Sequence, residues 1–181
     1  FAACQLISGP ILGQLSDKYG RRPLLLVSQV GTFLGLLLLA YSDQLWMIFL
    51  SRILDGVTAG NLSIAQAYIA DVTKPEDRAK SFAIIGIAFG SGFLVGPGIS
   101  GYLSQYGYHA PALAAAGASL ISIMTTFFFL PQTEPLVGKR LKLTDPKTYT
   151  QFFHRKELAP LLWQFFLFSC AFGMFHGGFA M

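Results

Sequence analysis

Between Lys80 and Glu134 the chain runs for 53 residues, 81–133, without one Asp, Glu, Lys or Arg. A hydrocarbon core about 30 Å thick is crossed by roughly 20 apolar residues in a helix. The run therefore has room for two crossings and a short turn. Tyr106-Gly107-Tyr108, with Pro111 just after, marks the turn, and tyrosine suits a membrane–water boundary. Four more stretches, 1–16, 24–42, 56–70 and 158–181, are equally free of charge. Only 12% of the chain is charged, against about 25% in ordinary soluble domains. Seventeen Phe add to the apolar excess. Soluble enzymes, nucleic-acid binders and disordered chains are excluded on that ground. Two Cys in 181 residues likewise exclude a disulfide-stapled secreted domain.

Lipid offers backbone groups no water, so a spanning segment must be a helix or part of a closed barrel. Leu34 to Leu39 shows no alternation of period two, which argues against a barrel. A soluble bundle is argued against too, because no helix has a polar face to meet water. The pattern predicts six helical segments, at about 1–16, 24–41, 46–69, 80–103, 111–131 and 158–181. The fold class expected is an all-α, multi-pass membrane protein. A chain that starts at Phe1 and stops at Met181, each inside an apolar run, reads as a piece of a longer one.

The placement of charge gives sidedness. Lys18, Arg21 and Arg22 lie in the first connection, and Lys74, Arg78 and Lys80 in the third. Lys139, Arg140, Lys142, Lys147, Arg155 and Lys156 lie in the fifth, 132–157. Twelve of the thirteen bases thus fall on alternate connections, and the second and fourth hold none. Positive charge stays on the cytoplasmic side, so 17–23, 70–80 and 132–157 are expected there, in the cell membrane. The long fifth connection separates a bundle, 1–131, from the first helix of a second bundle, 158–181. Phe152 and Phe153 beside His154, Arg155 and Lys156 suit either a lipid-surface contact or a solvated tether.

The thirteenth base, Arg52, lies inside the third segment together with Asp55. Charges within a span cost a few kcal/mol and usually face a bundle interior or a wet cavity. At about 100° per residue, Arg52, Asp55, Ala59, Ser63 and Gln66 share one face of a continuous helix, and Asn61 points away. Two readings stand: a structural ion pair, or a substrate or proton pathway lined by Arg52, Asp55, Ser63 and Gln66. The fourth segment carries Gly86, Gly90, Gly92, Gly96, Pro97, Gly98 and Gly101. The spacing Gly86/Gly90 and Gly92/Gly96 permits close helix approach, and Pro97 is expected to kink the helix. Thr73-Lys-Pro-Glu76 has the form of a capping box opening that segment. His176 suits a proton relay or a helix contact, His109 and His154 are expected to be solvated, and Cys4 and Cys170 to pack. No metal-ligand, cofactor-binding or nucleophile–base spacing appears. The glycine run lacks the Lys-Ser/Thr of a phosphate loop.

The first connection reads Gly13-Gln-Leu15-Ser-Asp17-Lys-Tyr-Gly20-Arg21-Arg22-Pro23. Gly20 suits a tight turn and Pro23 a first helical turn. Through Gly13, Leu15, Asp17, Gly20, Arg21 and Arg22 the string closely resembles motif A of the major facilitator superfamily. Arg52 with Gly56 resembles motif B, with Asp55 where Gln is common. Gly92-Phe-Leu-Val-Gly96-Pro97-Gly98-Ile-Ser100-Gly101 resembles the antiporter motif C, with Ser100 in place of a glycine. Tyr68-Ile-Ala-Asp71 followed by Glu76-Asp77-Arg78 is similar to the twelve-span drug:proton antiporters, and to tetracycline efflux proteins among them, over nearly the whole chain.

The resemblance implies family helices two to seven of a partial major facilitator fold. It implies that Asp17 engages the second bundle to lock an outward-open state, and that Arg21 pairs with Asp71. It assigns Arg52 to proton coupling, and Gly92, Gly96, Pro97 and Gly101 to the bend and seal of helix five. The function implied is proton-coupled efflux of small amphiphilic compounds by alternating access, not enzymatic catalysis. A uniporter or symporter of sugars or metabolites is the alternative, and motif C argues against it. A membrane-embedded enzyme or receptor would need catalytic clusters or a large soluble domain. The expected partners are the lipid bilayer, a small-molecule substrate and protons, without nucleic acid. The expected working unit is a monomer.

The sidedness is directly testable. With native cysteines replaced in the full-length protein, Gln105→Cys should react with a membrane-impermeant thiol reagent added to intact cells, and Glu76→Cys should not. Equal labelling of both positions would refute the topology.

Overall fold

The computed structural model describes residues 2–132, together with Pro160, Trp163, Gln164, Phe166, Leu167 and Cys170. The chain divides into two compact units, Phe1–Val137 and Gly138–Met181. In the second, the rings of Trp163 and Phe166 meet edge-on at 5.9 Å. His154, His176 and the 132–157 connection, apart from Gln132, lie outside the described residues.

Every regular element among the described residues of the first unit is a helix. The helices are α1 (Ala2–Tyr19), α2 (Arg21–Ala40), α3 (Leu45–Val57), α4 (Asn61–Val72), α5 (Arg78–Leu103) and α6 (His109–Phe129), with a 3₁₀ turn at Ser104–Tyr106. Gly20 separates α1 from α2 with φ 94°, and Gly107 precedes α6 with φ 110°. Both reversals need the left-handed region that glycine enters freely, and both stand where the sequence placed turns. Pro23 sits in the first turn of α2, where its missing N–H costs nothing.

The third predicted segment is not one helix. Helix α3 stops at Val57 and α4 begins at Asn61, leaving Thr58, Ala59 and Gly60 between them. At about 1.5 Å per residue each piece is roughly 20 Å long, short of a 30 Å core. Only the two together approach a crossing. Among the described residues, three helices are long and apolar enough on their own: Arg21–Ala40, Arg78–Tyr106 and His109–Phe129. The capping-box expectation also fails. Thr73 ends α4, and α5 opens at Arg78 behind Asp77, without a side-chain cap.

Helix α2 is the hub and packs on α1, α3, α4 and α6. A small core gathers Leu24, Leu25 and Ile64, edged by Leu12, Ala65 and Leu130. Most large apolar side chains instead face outward. Leu94 is 80% and Phe129 81% exposed, and α5 buries no residue at all. Such surfaces are intolerable in water and ordinary in lipid.

Lipid tails solvate apolar side chains as well as a neighbouring helix does, so close packing and hydrogen bonds must hold the helices together. Ser51 Oγ donates to Gly35 O at 2.8 Å, and a Cβ at Gly35 would stand 3.4 Å from Asp55 Cβ. A methyl at Gly31 would overlap Thr58 Cγ2. Gln29 Nε2 donates to Ser122 Oγ at 3.1 Å and Thr126 Oγ1 at 3.0 Å, joining α2 to α6. Ser8 Oγ donates to Gly56 O at 2.8 Å, joining α1 to α3. His109, expected in solvent, instead bonds through Nδ1 to the carbonyl of Ala40 at the end of α2.

Helix α5 differs. Pro97 lies inside it without ending it. Among the described residues, nothing comes within 4 Å of a Cβ built at Gly86, Gly90, Gly92, Gly96, Gly98 or Gly101. The predicted close-approach seam is therefore present as a surface but meets no helix of this unit.

Overpacking a fitted helix contact costs about 1–3 kcal/mol. Gly31→Ala is expected to destabilise the full-length protein in mixed micelles by that order, seen as a lowered unfolding midpoint. An unchanged midpoint would mean that α2 and Thr58 are not in contact.

Candidate functional site

The predicted gating residues converge on one guanidinium. Arg21 opens α2 directly after the Gly20 reversal, which folds it back over the last turn of α1. Its Nη2 meets Asp17 Oδ1 at 2.5 Å and its Nε meets Asp71 Oδ2, at the far end of α4, at 2.9 Å. Nη1 donates to Ser16 Oγ at 2.6 Å, and that hydroxyl donates to Gly13 O at 2.7 Å. Arg21 is 9% exposed, so its charge is withdrawn from water and balanced by two carboxylates. Arginine suits this position because its planar fork can hold separate acceptors at fixed angles. Three helices, α1, α2 and α4, are tied at one point.

Arg22, the next residue, turns the other way. Its Nη2 donates to Phe127 O in the last turn of α6, and its guanidinium lies 5.6 Å from the Phe127 ring centroid. A cation there complements the negative end of the α6 dipole. Tyr68, one turn before Asp71, donates from its hydroxyl to Pro131 O at 3.4 Å. The Gly13 and Gly20 positions act through backbone: Gly13 by its carbonyl, Gly20 by its positive φ.

The second candidate lies in α3. Arg52 Nη1 stands 3.5 Å from Asp55 Oδ2, and Arg52 Nη2 donates to Ser51 Oγ at 3.2 Å. The pair is looser than the Arg21 cluster, and Arg52 Nε is buried without a partner. The continuous polar stripe expected from Arg52 to Gln66 does not form. The break at 58–60 interrupts the helical phase, and Ser63 and Gln66 lie on α4, exposed, apart from the α3 pair. Asn61, set aside by the helical-face argument, instead donates from Nδ2 to Thr32 Oγ1 on α2 at 3.1 Å.

The sequence reading passed over Ser28, Gln29, Gly31 and Gly35, all on the inner face of α2. A signal was present: Gly31 and Gly35 have the same four-residue spacing that drew attention to α5. The hydroxyl of Ser28 carried none, because its partners are 30 and 32 residues away.

Comparison with known proteins places this arrangement. The family model described as Major Facilitator Superfamily matches residues 1–181. The chain belongs to the Major Facilitator Superfamily. It is 39% identical over 134 residues to the class B tetracycline resistance protein of Escherichia coli, across 74% of this chain and 33% of that protein. It is 38% identical over 160 residues to the class H tetracycline resistance protein of Pasteurella multocida, across 86% of this chain and 40% of that one. The chain thus spans 33% to 40% of the length of these relatives. The crystal structure of the human organic anion transporter MFSD10 (TETRAN) superposes with a TM-score of 0.67 at 32% identity, covering 75% of this chain and 31% of that one. The chain is therefore part of a major facilitator fold, all-α and embedded in a membrane.

A buried charge left without its partner is costly, and breaking such a pair typically loses about 3–5 kcal/mol. In this superfamily member Arg21→Ala strands Asp17 and Asp71 together, whereas Asp71→Asn still leaves Arg21 with Asp17. Arg21→Ala leaves carboxylates that are 45% and 30% exposed, so it is expected to destabilise the full-length protein by less than that full amount, and Asp71→Asn by less again because Arg21 keeps Asp17. Thermal unfolding in detergent, with the double mutant closing the cycle, measures the coupling. Additive losses would show that Arg21 and Asp71 do not interact.

Proposed function

We propose that the complete protein is a proton-coupled efflux antiporter of small amphiphilic compounds, tetracycline-like among them, working by alternating access in the bacterial cytoplasmic membrane. On this reading 1–131 contributes helices two to six of the first bundle. The segment 132–157 is the cytoplasmic linker and 158–181 opens the second bundle. Connections 17–23 and 70–80 also face the cytoplasm, and the monomer is the working unit.

The observation that carries the proposal is the Arg52–Asp55 pair. It sits in an apolar helix, its closest approach is a long 3.5 Å, and one guanidinium donor has no partner. A fully satisfied structural pair would have little reason to rearrange. This one holds two charges that can exchange partners. A proton added to Asp55 removes the charge that holds Arg52, and an incoming acceptor can then take the spare donor. Interactions that differ between two protonation states bias two conformations differently, as coupling requires.

The other predicted residues fall into roles around that pair. The Arg21 cluster, with Asp17, Asp71, Gly13, Gly20 and Arg22, acts as the cytoplasmic gate. Ser63 and Gln66, exposed on α4, are the polar side chains that a substrate path completed by the second bundle would meet. The α5 surface around Gly92, Gly96, Pro97 and Gly101 is available to the second bundle. Identity to proteins named for tetracycline resistance supports the substrate class, and the antiporter motif supports the direction.

Full-length protein in proteoliposomes should accumulate tetracycline when the lumen is made acidic, and stop when the gradient is dissipated. Asp55→Asn should abolish gradient-driven accumulation while preserving tetracycline counterflow. Accumulation that ignores the imposed gradient would overturn antiport, and a uniporter would then fit.

A further inference from the structure

The break between α3 and α4 has a construction of its own. Where a helix stops inside an apolar bundle, its exposed backbone groups need other partners. Here one side chain supplies two of them. Ser28 on α2, fully buried, donates its hydroxyl to Thr58 O and accepts from Gly60 N at 3.0 Å. Gly60 is tightly surrounded: a Cβ there would stand 2.9 Å from Ile64 Cδ1 and 3.0 Å from Leu12 Cδ1, and both side chains would have to give way. The two flanking helices are then held by separate contacts. Helix α3 is fastened to α2 by Ser51–Gly35 and to α1 by Ser8–Gly56. Helix α4 is fastened close to the break by Asn61–Thr32 and by Ile64 in the Leu24–Leu25 core, and toward its far end by Tyr68–Pro131 and Arg21–Asp71.

We infer that Thr58–Gly60 is a pivot at which α4 swings while α3 stays seated on α2, with Ser28 as the latch that holds the backbone through the swing. The geometry makes the motion small and selective. From Asn61 to Asp71 is about 15 Å of helix at roughly 1.5 Å per residue. A rotation of about 15° therefore moves Asp71 by about 4 Å, enough to break its ion pair with Arg21. Near the pivot the same rotation displaces Asn61 by about 1 Å or less. Hinges of this kind absorb the change in a few residues at the ends of elements. An unbroken helix would instead carry Arg52 and Asp55 along with Asp71. The pivot lets the Arg21 cluster open without dragging the α3 pair. Its link to transport rests on the efflux reading above, but the mechanical claim does not.

The test uses spin-label distances in the full-length protein with native cysteines replaced. Val27 on α2, Ile53 on α3 and Val72 on α4 are all exposed and suit labelling. Two pairs are compared, Val27→Cys with Val72→Cys, and Val27→Cys with Ile53→Cys. Arg21→Gln, which releases the far end of α4, should lengthen the α2–α4 distance by several ångström and leave the α2–α3 distance unchanged. Ser28→Ala should broaden the α2–α4 distribution alone. Should Ser28→Ala fail to fold, the Arg21→Gln comparison still decides. Equal shifts in both pairs, or none in either, overturn the pivot. Tetracycline added to the unsubstituted protein should reproduce the selective shift. A selective shift with Arg21→Gln but none with tetracycline keeps the pivot and counts against the efflux reading.

Discussion

Helix α2 is held to its neighbours by hydroxyls, amides and glycines. Surrounded by hydrocarbon, a leucine gains little by leaving lipid for another helix, so apolar bulk cannot drive assembly. What remains is close approach and hydrogen bonding. Both are concentrated on one face of α2: Ser28, Gln29, Gly31, Thr32 and Gly35 reach α3, α4 and α6. Each hydrogen bond between membrane helices contributes only about 0.6 kcal/mol on average. The unit therefore depends on several acting together, with glycines setting the spacing that makes them possible.

The same constraint shapes the end of the bundle where α1, α2 and α4 meet. Arg21 is nearly buried and would be expensive there alone. Asp17, Asp71 and Ser16 make it tolerable, and in doing so join three helices whose ends would otherwise be free to part. A cluster built on one charge shares that charge between two carboxylates, so losing Asp71 frees α4 while Asp17 still holds Arg21. The Arg52–Asp55 pair has the opposite character. It is loosely made and incompletely satisfied. One arrangement holds a conformation, and the other leaves charge available for exchange.

Some of this was legible in advance. The motif A string predicted the Arg21–Asp71 pairing across 50 residues, and the atoms meet at 2.9 Å. The turns at Gly20 and Gly107 were read correctly because glycine's freedom is a local property. The stripe from Arg52 to Gln66 was not, because a helical-face argument assumes an unbroken helix. The residues 46–69 contain no proline and nothing local that forbids continuation. Gly56, Gly60 and Asn61 flank the break and are weak helix formers, a signal the helical-face argument passed over, and Ser28 supplies partners for the interrupted backbone from 30 residues away. His109 was misread for the same reason, since its partner is the end of a helix 69 residues away.

Hydropathy and charge placement act through the solvent, which every residue meets wherever its neighbours lie. They were therefore enough to assign the membrane as the medium, the helices as the elements and one side as the basic side. Contacts between distant residues have no such local signature. Where the predicted segment 46–69 divides, which glycines are crowded and which merely exposed, and which of two ion pairs is tightly closed were decided only when α2 was laid against its neighbours. Those outcomes turn on differences of an ångström between groups far apart in the chain.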